Sequence, residues 1–413
     1  MKRFGQYFSL AWANILQNKL FALFSFLVSA LTCVFIYVLL QIAALISNDY
    51  PPFSHADRVV SLTDEFYDTK GQYLGGIFAP YIASFVKSVP NCEERSICNT
   101  EHTSAIVGNN LFPASVGFVD HSYFVINDFE FLAGRPFTQQ ETWDVDKKAV
   151  ISEKIAQRYF NKTSALGEKI EIQGNVYTVI GVVKDYSIFS TTKDLIQIWL
   201  PYSTNKFMPS GNMYYTLDIQ FPANRPKEKF KQDLAFALKN FFKAQGRDLD
   251  ISADKLMTLK ELRLARYGNN GLYIGVGVIV VLLLLIPAIN IITLSESSIQ
   301  NRVIELAVRR AIGARKLSIF KLLLFENFIV VGAGFIVGLM LTYPVVSWIE
   351  TAFFNSVADG TSATLLAGMN GWLVNVLIIV ALCIIFSLIS GGIPAYMVTK
   401  QNISVMLKGG SND

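Results

Sequence analysis

Four long apolar stretches, unevenly spaced, constrain this chain more than any single motif. They run Leu20–Ile46, Leu272–Leu294, Ile319–Ile349 and Trp372–Ile389. A bilayer core of about 30 Å is crossed by roughly 20 apolar residues in a helix. The first three stretches reach that length, and the fourth reaches it with Gly391–Ala395 at the interface. One span, a long polar region and then three spans in succession place a large domain on one side of a membrane. Composition agrees: 52% of the residues are hydrophobic and 16% charged, against about 25% charged in a typical soluble domain. The net charge of +4 is modest and gives no reason to expect nucleic acid as a partner.

The placement of positive charge predicts the orientation. Lys2, Arg3 and Lys19 precede the first span. Arg302, Arg309, Arg310, Arg315 and Lys316 lie between the second and third, with Lys321 at the membrane edge, and Lys400 and Lys408 follow the fourth. The loop 350–371 has neither Lys nor Arg. Both termini and the segment 295–318 are therefore expected in the cytoplasm, and Ser47–Tyr267 outside. The first span is too long for a signal-peptide core and no small-residue cleavage site follows it, so it reads as a retained anchor. Before it, Phe4, Tyr7, Phe8, Ala11, Trp12, Ile15 and Leu16 recur at helical spacing, and Gln6, Ser9, Ala13, Asn14 and Gln17 take the other faces. That pattern predicts an amphipathic helix in residues 1–19, lying in the interface plane.

Cys33 and Cys383 fall inside spans and read as buried thiols. Cys92 and Cys98 are close together in the external region, where an oxidising compartment makes them a disulfide candidate. Two Cys alone do not complete a zinc site, so no metal is expected.

The external region reads as mixed α and β. Strands are expected at Arg58–Thr63, Lys148–Ser152 and Met213–Phe221, and helices at Pro80–Val89, Ser152–Phe160 and Pro226–Gln245. Lys169–Gln173 and Val176–Val183 form a predicted hairpin around Gly174-Asn175. No Walker A run, G-x-S-x-G or H-E-x-x-H is present, and His55, His102 and His121 have no metal-ligand spacing. The chain gives no positive sign of catalysis.

Two stretches carry a family resemblance. Val150–Asp185, with Phe160, Gly167, Gly174, Val179, Gly181 and Val182 in the characteristic positions, resembles the periplasmic core domain of MacB-type ABC transporter permeases. Phe131–Phe137, FLAGRPF, resembles the "GR-x-F" element that precedes it. Ile304–Asn327 resembles the E-I-G-x-R-x-A-x-G-A segment between the second and third spans of FtsX-like permeases, with Glu305, Arg309, Ala311, Gly313 and Ala314 matching. Glu326 and Pro394-Ala395 also hold family positions. The chain departs from the pattern where Asn301-Arg302-Val303-Ile304 replaces the family's Glu-Arg-x-Arg, and where Ile403 replaces a late proline.

The resemblance implies an α+β membrane protein with four transmembrane helices and a large mixed α/β periplasmic domain between the first and second. Its parts would be spans 20–46, 272–294, 319–349 and 372–395, a periplasmic domain 47–267, a coupling segment 295–318, a loop 350–371 and a cytoplasmic tail 396–413. It implies a permease subunit that binds no cofactor itself, with ATP and Mg held by a separate ABC ATPase, since only nineteen residues precede the first span. The layout is that of the lipoprotein-releasing LolC/LolE-type permeases, set in a bacterial inner membrane. The implied partners are ABC ATPase subunits, membrane lipid, a second permease copy or paralogue, a periplasmic adaptor and an outer-membrane channel. The cargo would be a peptide, antibiotic, lipoprotein or similar molecule.

Arg302, Glu305, Arg309, Arg310, Gly313 and Ala314 are the expected ATPase-coupling residues. Val303, Leu306, Ala307 and Arg310 share one face of a short helix that Gly313 is suited to end with a positive φ. Gly334 and Gly338 form a small-xxx-small face in the third span. That face, with the first span, is expected to meet a second permease subunit. The alternative reading is a membrane-anchored sensor whose external domain detects a ligand.

Overall fold

The computed structural model describes residues 10–16, 18–62, 66–75, 77–78, 85, 89, 91–192, 195–205, 214–267, 270–300, 303–349 and 372–400. The chain divides into two compact units. One contains the described parts of Ala44–Asn270 and Trp348–Asn370; the other holds the described parts of Met1–Ala43, Gly271–Ser347 and Gly371–Asp413.

The first of these units is built on an eleven-stranded sheet. Its main strands are β1 (Val59–Leu62), β2 (Glu94–Val107), β3 (Asn110–Val119), β4 (Phe131–Gly134), β5 (Lys148–Ser152), β6 (Lys169–Ile172), β7 (Asn175–Val183), β8 (Ile198–Pro201), β9 (Tyr214–Gln220) and β10 (Met257–Thr258). They lie in the order β10-β1-β9-β2-β3-β8-β5-β7-β4, with β6 paired to both β7 and β2. Two neighbouring pairs, β3 with β8 and β5 with β7, are parallel. Parallel neighbours need a crossover, and between β5 and β7 it is helix α2 (Glu153–Phe160). Ser152 starts α2 by accepting from the Ile155 amide, and Asn161 ends it in the left-handed region.

The strand β2 is long because different partners pair with successive parts of it. Glu94–Cys98 pairs with β9, and Cys98–Val107 pairs with β3. Apolar residues follow this division. Val60, Leu217, Ile219 and Phe221 pack with Phe230, Leu234 and Leu238 of helix α3 (Lys227–Ala244). Ala105, Phe112, Ile151, Ile155, Ile170, Val179 and Ile198 form a second cluster around α2. A third gathers aromatics around Trp199, with the ring of Phe129 5.2 Å away, centroid to centroid.

Most strands and helices expected here are present, but the hairpin turns one residue earlier than read. Ile172 pairs with Asn175, so Gln173 and Gly174, at φ 51° and 73°, make the turn. The helix expected at Pro80–Val89 falls mostly outside the described residues; within it Phe85 is helical and fully buried. The expected disulfide is corrected: Cys92 and Cys98 are not joined to each other. Cys98 packs with Val119, Tyr123 and Trp199, whereas Cys92 packs with the α3 cluster alongside Ile97. Side chains alternate across a strand, so Ile97 and Cys98 face opposite sides of the sheet, and Cys92 lies on the side Cys98 does not.

The other unit is helical. It contains most of α1 (Lys19–Ser47), together with α5 (Asn270–Gln300), α6 (Val303–Ala311), α7 (Lys316–Ile349) and α8 (Trp372–Lys400). Between α3 and α5 the chain forms α4 (Leu259–Arg266), which belongs to the sheet unit. Among the described residues three helices are long and apolar enough to cross a membrane: Lys19–Ser47, Lys316–Trp348 and Leu373–Lys400. In α5 the described apolar run is shorter, Ile274–Ile289. Cys33, Ile36, Ile291, Val331, Phe335, Ile379 and Phe386 form the common core of α1, α5, α7 and α8.

Candidate functional site

The segment expected to couple to an ATPase forms a nine-residue helix with one buried face. Leu306 and Ala307 of α6 are buried against Ile319 and Leu323 of α7 and Ala395 and Val398 of α8, with Val303 packed on the same cluster. The face read from the sequence is thus the buried one. Glu305 and Arg309 form the expected i,i+4 ion pair at 2.6 Å. Gly313 has φ +103°, a conformation that a side chain rarely adopts, and ends the helix where α7 begins. Ala314 packs on the same cluster, Arg310 is half-buried, and Arg302 lies outside the described residues.

The opposite face was not read from the sequence. Ile304, Val308 and Ile312 are spaced four apart and point away from α7 and α8; Ile312 is 82% exposed. The signal was present as an apolar i, i+4, i+8 repeat within the cationic segment. Leu317, at the start of α7, is exposed as well.

Gly334 and Gly338 do line a helix-packing face, but it is used inside the chain. A Cβ on Gly334 would run into Ser29 and come within 2.6 Å of the Phe26 carbonyl oxygen. One on Gly338 would lie 2.5 Å from the Ala30 carbonyl oxygen and 2.8 Å from Cys33 Cβ. The two glycines let α7 lie directly on α1, so this face does not meet a second subunit as expected. Polar side chains add to the packing. Asn375 donates to Gln41 Oε1 at 2.7 Å, linking α8 to α1. Asn327 on α7 donates to Ser390 Oγ at 3.0 Å and to the Ser387 carbonyl at 3.2 Å on α8.

Residues 10–16 are helical, as the N-terminal periodicity predicts, but the polar face is not all outward. Asn14 is buried and donates to Glu326 on α7 at 3.4 Å, while Trp12 and Leu16 are exposed. The expected loop 350–371 and the charges at Lys2, Arg3 and Lys408 lie outside the described residues.

In the sheet unit, the two sequence motifs meet each other. Gly134 of FLAGRPF pairs with Gly181 across β4 and β7. Gly134 has φ +73°, and a Cβ there would collide with the Ile180 carbonyl. On Gly181 it would lie 2.7 Å from the Arg135 carbonyl oxygen. Arg135 then grips Glu141 with both terminal nitrogens, at 2.8 and 2.6 Å. The hydrogen bonds from Arg135, assisted by Lys148 and the Thr138 amide, hold the Glu141 carboxyl well below the usual carboxylate range despite its burial. The motif is therefore a folding element.

The other perturbed carboxyls also have local causes. Burial pushes Asp120 up to about 7 against hydrogen bonds from Ser96 and the Ile97 and Tyr123 amides. Burial likewise pushes Asp185 to about 6, opposed by Lys154. Burial pushes Glu261 up, but hydrogen bonds from Lys227, Lys231 and the Thr258 amide outweigh it and hold the group at about 2. Among the described residues no group of three or more His, Cys, Asp or Glu side chains is arranged to hold a metal.

Two protein-family models match the chain. One, described as the MacB-like periplasmic core domain, covers residues 31–235; the other, the FtsX-like permease C-terminal domain, covers residues 277–403. The macrolide export ATP-binding/permease protein MacB of Vibrio parahaemolyticus is 22% identical over 271 residues, spanning 64% of this chain and 38% of that protein. An ABC transporter permease of Bacillus subtilis, YknZ, is 23% identical over 266 residues, spanning 62% of this chain and 65% of that protein. The chain thus spans about two fifths of the length of the MacB relatives it matches. Among solved structures, the periplasmic region of MacB from Actinobacillus actinomycetemcomitans aligns with 52% of this chain and 94% of that region, at TM-score 0.41 and 15% identity.

Proposed function

The chain belongs to the MacB/FtsX-type ABC transporter permeases, and we propose that it is the membrane subunit through which a separate ABC ATPase drives motion of the external domain. In this reading α1, α5, α7 and α8 all cross a bacterial inner membrane. The termini and α6 are cytoplasmic, and the sheet unit lies in the periplasm. ATP and Mg are bound by the partner. Domain motion moves a peptide, antibiotic, lipoprotein or similar molecule for export or extraction, with a second permease subunit, a periplasmic adaptor and an outer-membrane channel as further partners. With Gly334 and Gly338 occupied by α1, a second permease would meet other faces.

One observation carries the proposal: α6 is anchored by one face to the ends of two membrane helices and offers an apolar ridge on the other. Ile304, Val308 and Ile312 supply the area for docking. The Glu305–Arg309 pair flanks the ridge, and a short turn through Gly313 joins the helix to α7. A push on such a helix has few soft joints to dissipate it. Co-expression with ABC ATPase subunits of the same organism, followed by co-purification, tests this. Ile312→Asp is expected to reduce the retained ATPase by about tenfold, since burying an unpaired carboxylate in an apolar contact is costly. Gly313→Val is expected to leave insertion intact and separate ATP hydrolysis from transport. Normal ATPase recovery after deletion of residues 300–316 would overturn the assignment.

A further inference from the structure

Among the described residues, the most deeply buried charge in the sheet unit belongs to a residue with no place in either family motif. Arg263 lies on α4 and is 1% exposed. Its Nε donates to the Ile46 carbonyl at 2.7 Å, and one terminal nitrogen donates to the Asn48 carbonyl at 2.9 Å and to Asp49 Oδ1 at 2.6 Å. The other donates to the Ser190 carbonyl at 3.0 Å. Ile46 belongs to the last turn of α1, whose final carbonyls have no partner within the helix. Ser190 lies in the segment that follows β7. A single guanidinium on α4 thus joins Ile46–Asp49, at the end of α1, to the loop around Ser190, all within the sheet unit.

Neighbours on α4 repeat the pattern. Lys260 reaches Asp49 at 3.3 Å, Arg266 donates to the Thr192 carbonyl at 2.8 Å, and the Tyr267 hydroxyl donates to the Ile188 carbonyl at 3.3 Å. Residues 260, 263, 266 and 267 share one helix face. Its N-terminus is fixed by a capping box between Thr258 and Glu261, and Glu261 is held in turn by Lys227 and Lys231 of α3. Each of these hydrogen bonds and ion pairs is with Ile46–Asp49 or Ile188–Thr192. A helix end needs only a donor, and water or an exposed lysine serves. Burying a guanidinium costs far more unless its rigid fork is filled, and here it is filled from two segments at once.

We propose that Arg263 is the positioning residue that makes Ile46–Asp49 at the end of α1, α4 and the Ile188–Thr192 loop one mechanical piece, so that a displacement carried along α1 reaches the rest of the sheet unit through this loop. The mechanical consequence rests on the ATP-driven reading above; the joint itself does not. Lysine keeps the charge but has no planar fork to span three carbonyls and a carboxylate.

Hydrogen exchange of the full chain in lipid nanodiscs tests the joint. In Arg263→Lys, the amides of residues 47–50 and of residues 188–192 are expected to lose protection together, by at least about tenfold, while those of β8 and β9 stay unchanged. Asp49→Asn supplies the same measurement if the lysine variant does not fold. Loss confined to one segment, or no loss, would overturn the proposal. A second arm adds the co-purified ATPase. There the wild type is expected to show an ATP-dependent change in exchange at residues 188–192, and Arg263→Lys to abolish it while ATP hydrolysis continues. A retained change in the lysine variant would refute the transmitting role. A wild type that binds no ATPase would refute the transport reading instead, and the first arm would still decide the joint.

Discussion

The two units of this chain solve the same packing problem in different solvents, and their glycines and polar groups show the difference. In the sheet unit, Gly134 and Gly181 sit opposite each other because two backbones turn past one another, and Gly134 needs a positive φ. Elsewhere in this unit buried charges have charged partners: Glu141 with the exposed Arg135, Lys231 with Glu261, Arg263 with Asp49. In the helical unit, Gly334 and Gly338 have ordinary helical backbones and matter only for the space they leave to α1. The buried polar groups there are neutral, Asn375 with Gln41 and Asn327 with Ser387 and Ser390. Lipid tails are as apolar as leucine, so helices in a membrane gain little by burying apolar area and rely on close fit and hydrogen bonds. Water rewards apolar burial directly, and a sheet unit with that reserve can afford buried ions.

The strongest break in this comparison is a methyl group added to one glycine in each unit. Gly134→Ala combines an unfavourable backbone with a collision against the Ile180 carbonyl, neither of which a side-chain rotation relieves. A loss of more than roughly 3 kcal/mol is expected. Gly338→Ala meets the Ala30 carbonyl of a separate helix, which can shift, and roughly 1–3 kcal/mol is expected. Limited proteolysis of the full chain in detergent reads both, since cleavage in the sheet unit and in the helices gives different fragments. Equal losses, or a larger loss at Gly338, would show that α1 and α7 are as rigidly seated as the sheet.

A second contrast separates the polar groups. Asn375→Leu removes one partner of an amide pair and leaves Gln41 facing an apolar neighbour, at a cost of about 0.5–2 kcal/mol. Asp49→Leu leaves the Arg263 guanidinium buried without its charge partner, and roughly 3–5 kcal/mol is expected. Thermal unfolding followed separately in the two units by site-specific fluorophores distinguishes these outcomes. A cost at Asn375 matching that at Asp49 would contradict the claim that the helical unit avoids high-stakes polar contacts.

What could be read in advance follows the same division. The helices were legible because runs such as Leu20–Ile46 have one dominant property, and α1 ends within a residue of the expected limits. Lys148–Ser152 and Lys227–Ala244 were legible from periodicity and caps. The long hairpin of β2 and β3 was not read: Glu94–Val107 mixes His, Asn, Thr and Glu with few apolar residues, because part of its surface is shared between strands. The cysteine pair misled because nearness in sequence is not nearness across a strand, whose successive side chains part to opposite faces. Gly313 was found from its turn chemistry. The ridge of Ile304, Val308 and Ile312 was hidden by the assumption that charge defines that segment, and Arg263 by the absence of any motif around it. Its role exists only once Ile46 and Ser190, far away in sequence, are brought to it.

The smallest expected effects compare one carboxylate from each unit. Glu261 has its pKa lowered from 4.5 to about 2 in the folded protein. A carboxyl depressed in the folded state contributes stability that is present above its unfolded pKa and lost as pH falls through the folded one. Acidification from about 4.5 towards 2 should therefore progressively destabilise the sheet unit, and Glu261→Gln should flatten that part of the profile while lowering stability at neutral pH. Glu305 is part of a half-exposed helix pair with Arg309. Such pairs contribute about 0.2–0.5 kcal/mol and are screened by salt, so Glu305→Gln should leave the stability of the helical unit within about 0.5 kcal/mol of the parent. Melting curves between pH 2 and 7 for both variants would read this contrast. A Glu305→Gln chain as acid-altered as Glu261→Gln would mean that α6 is held by its charge and not by Leu306 and Ala307, and the ridge would then lose its claim to be the side of the helix left free for a partner.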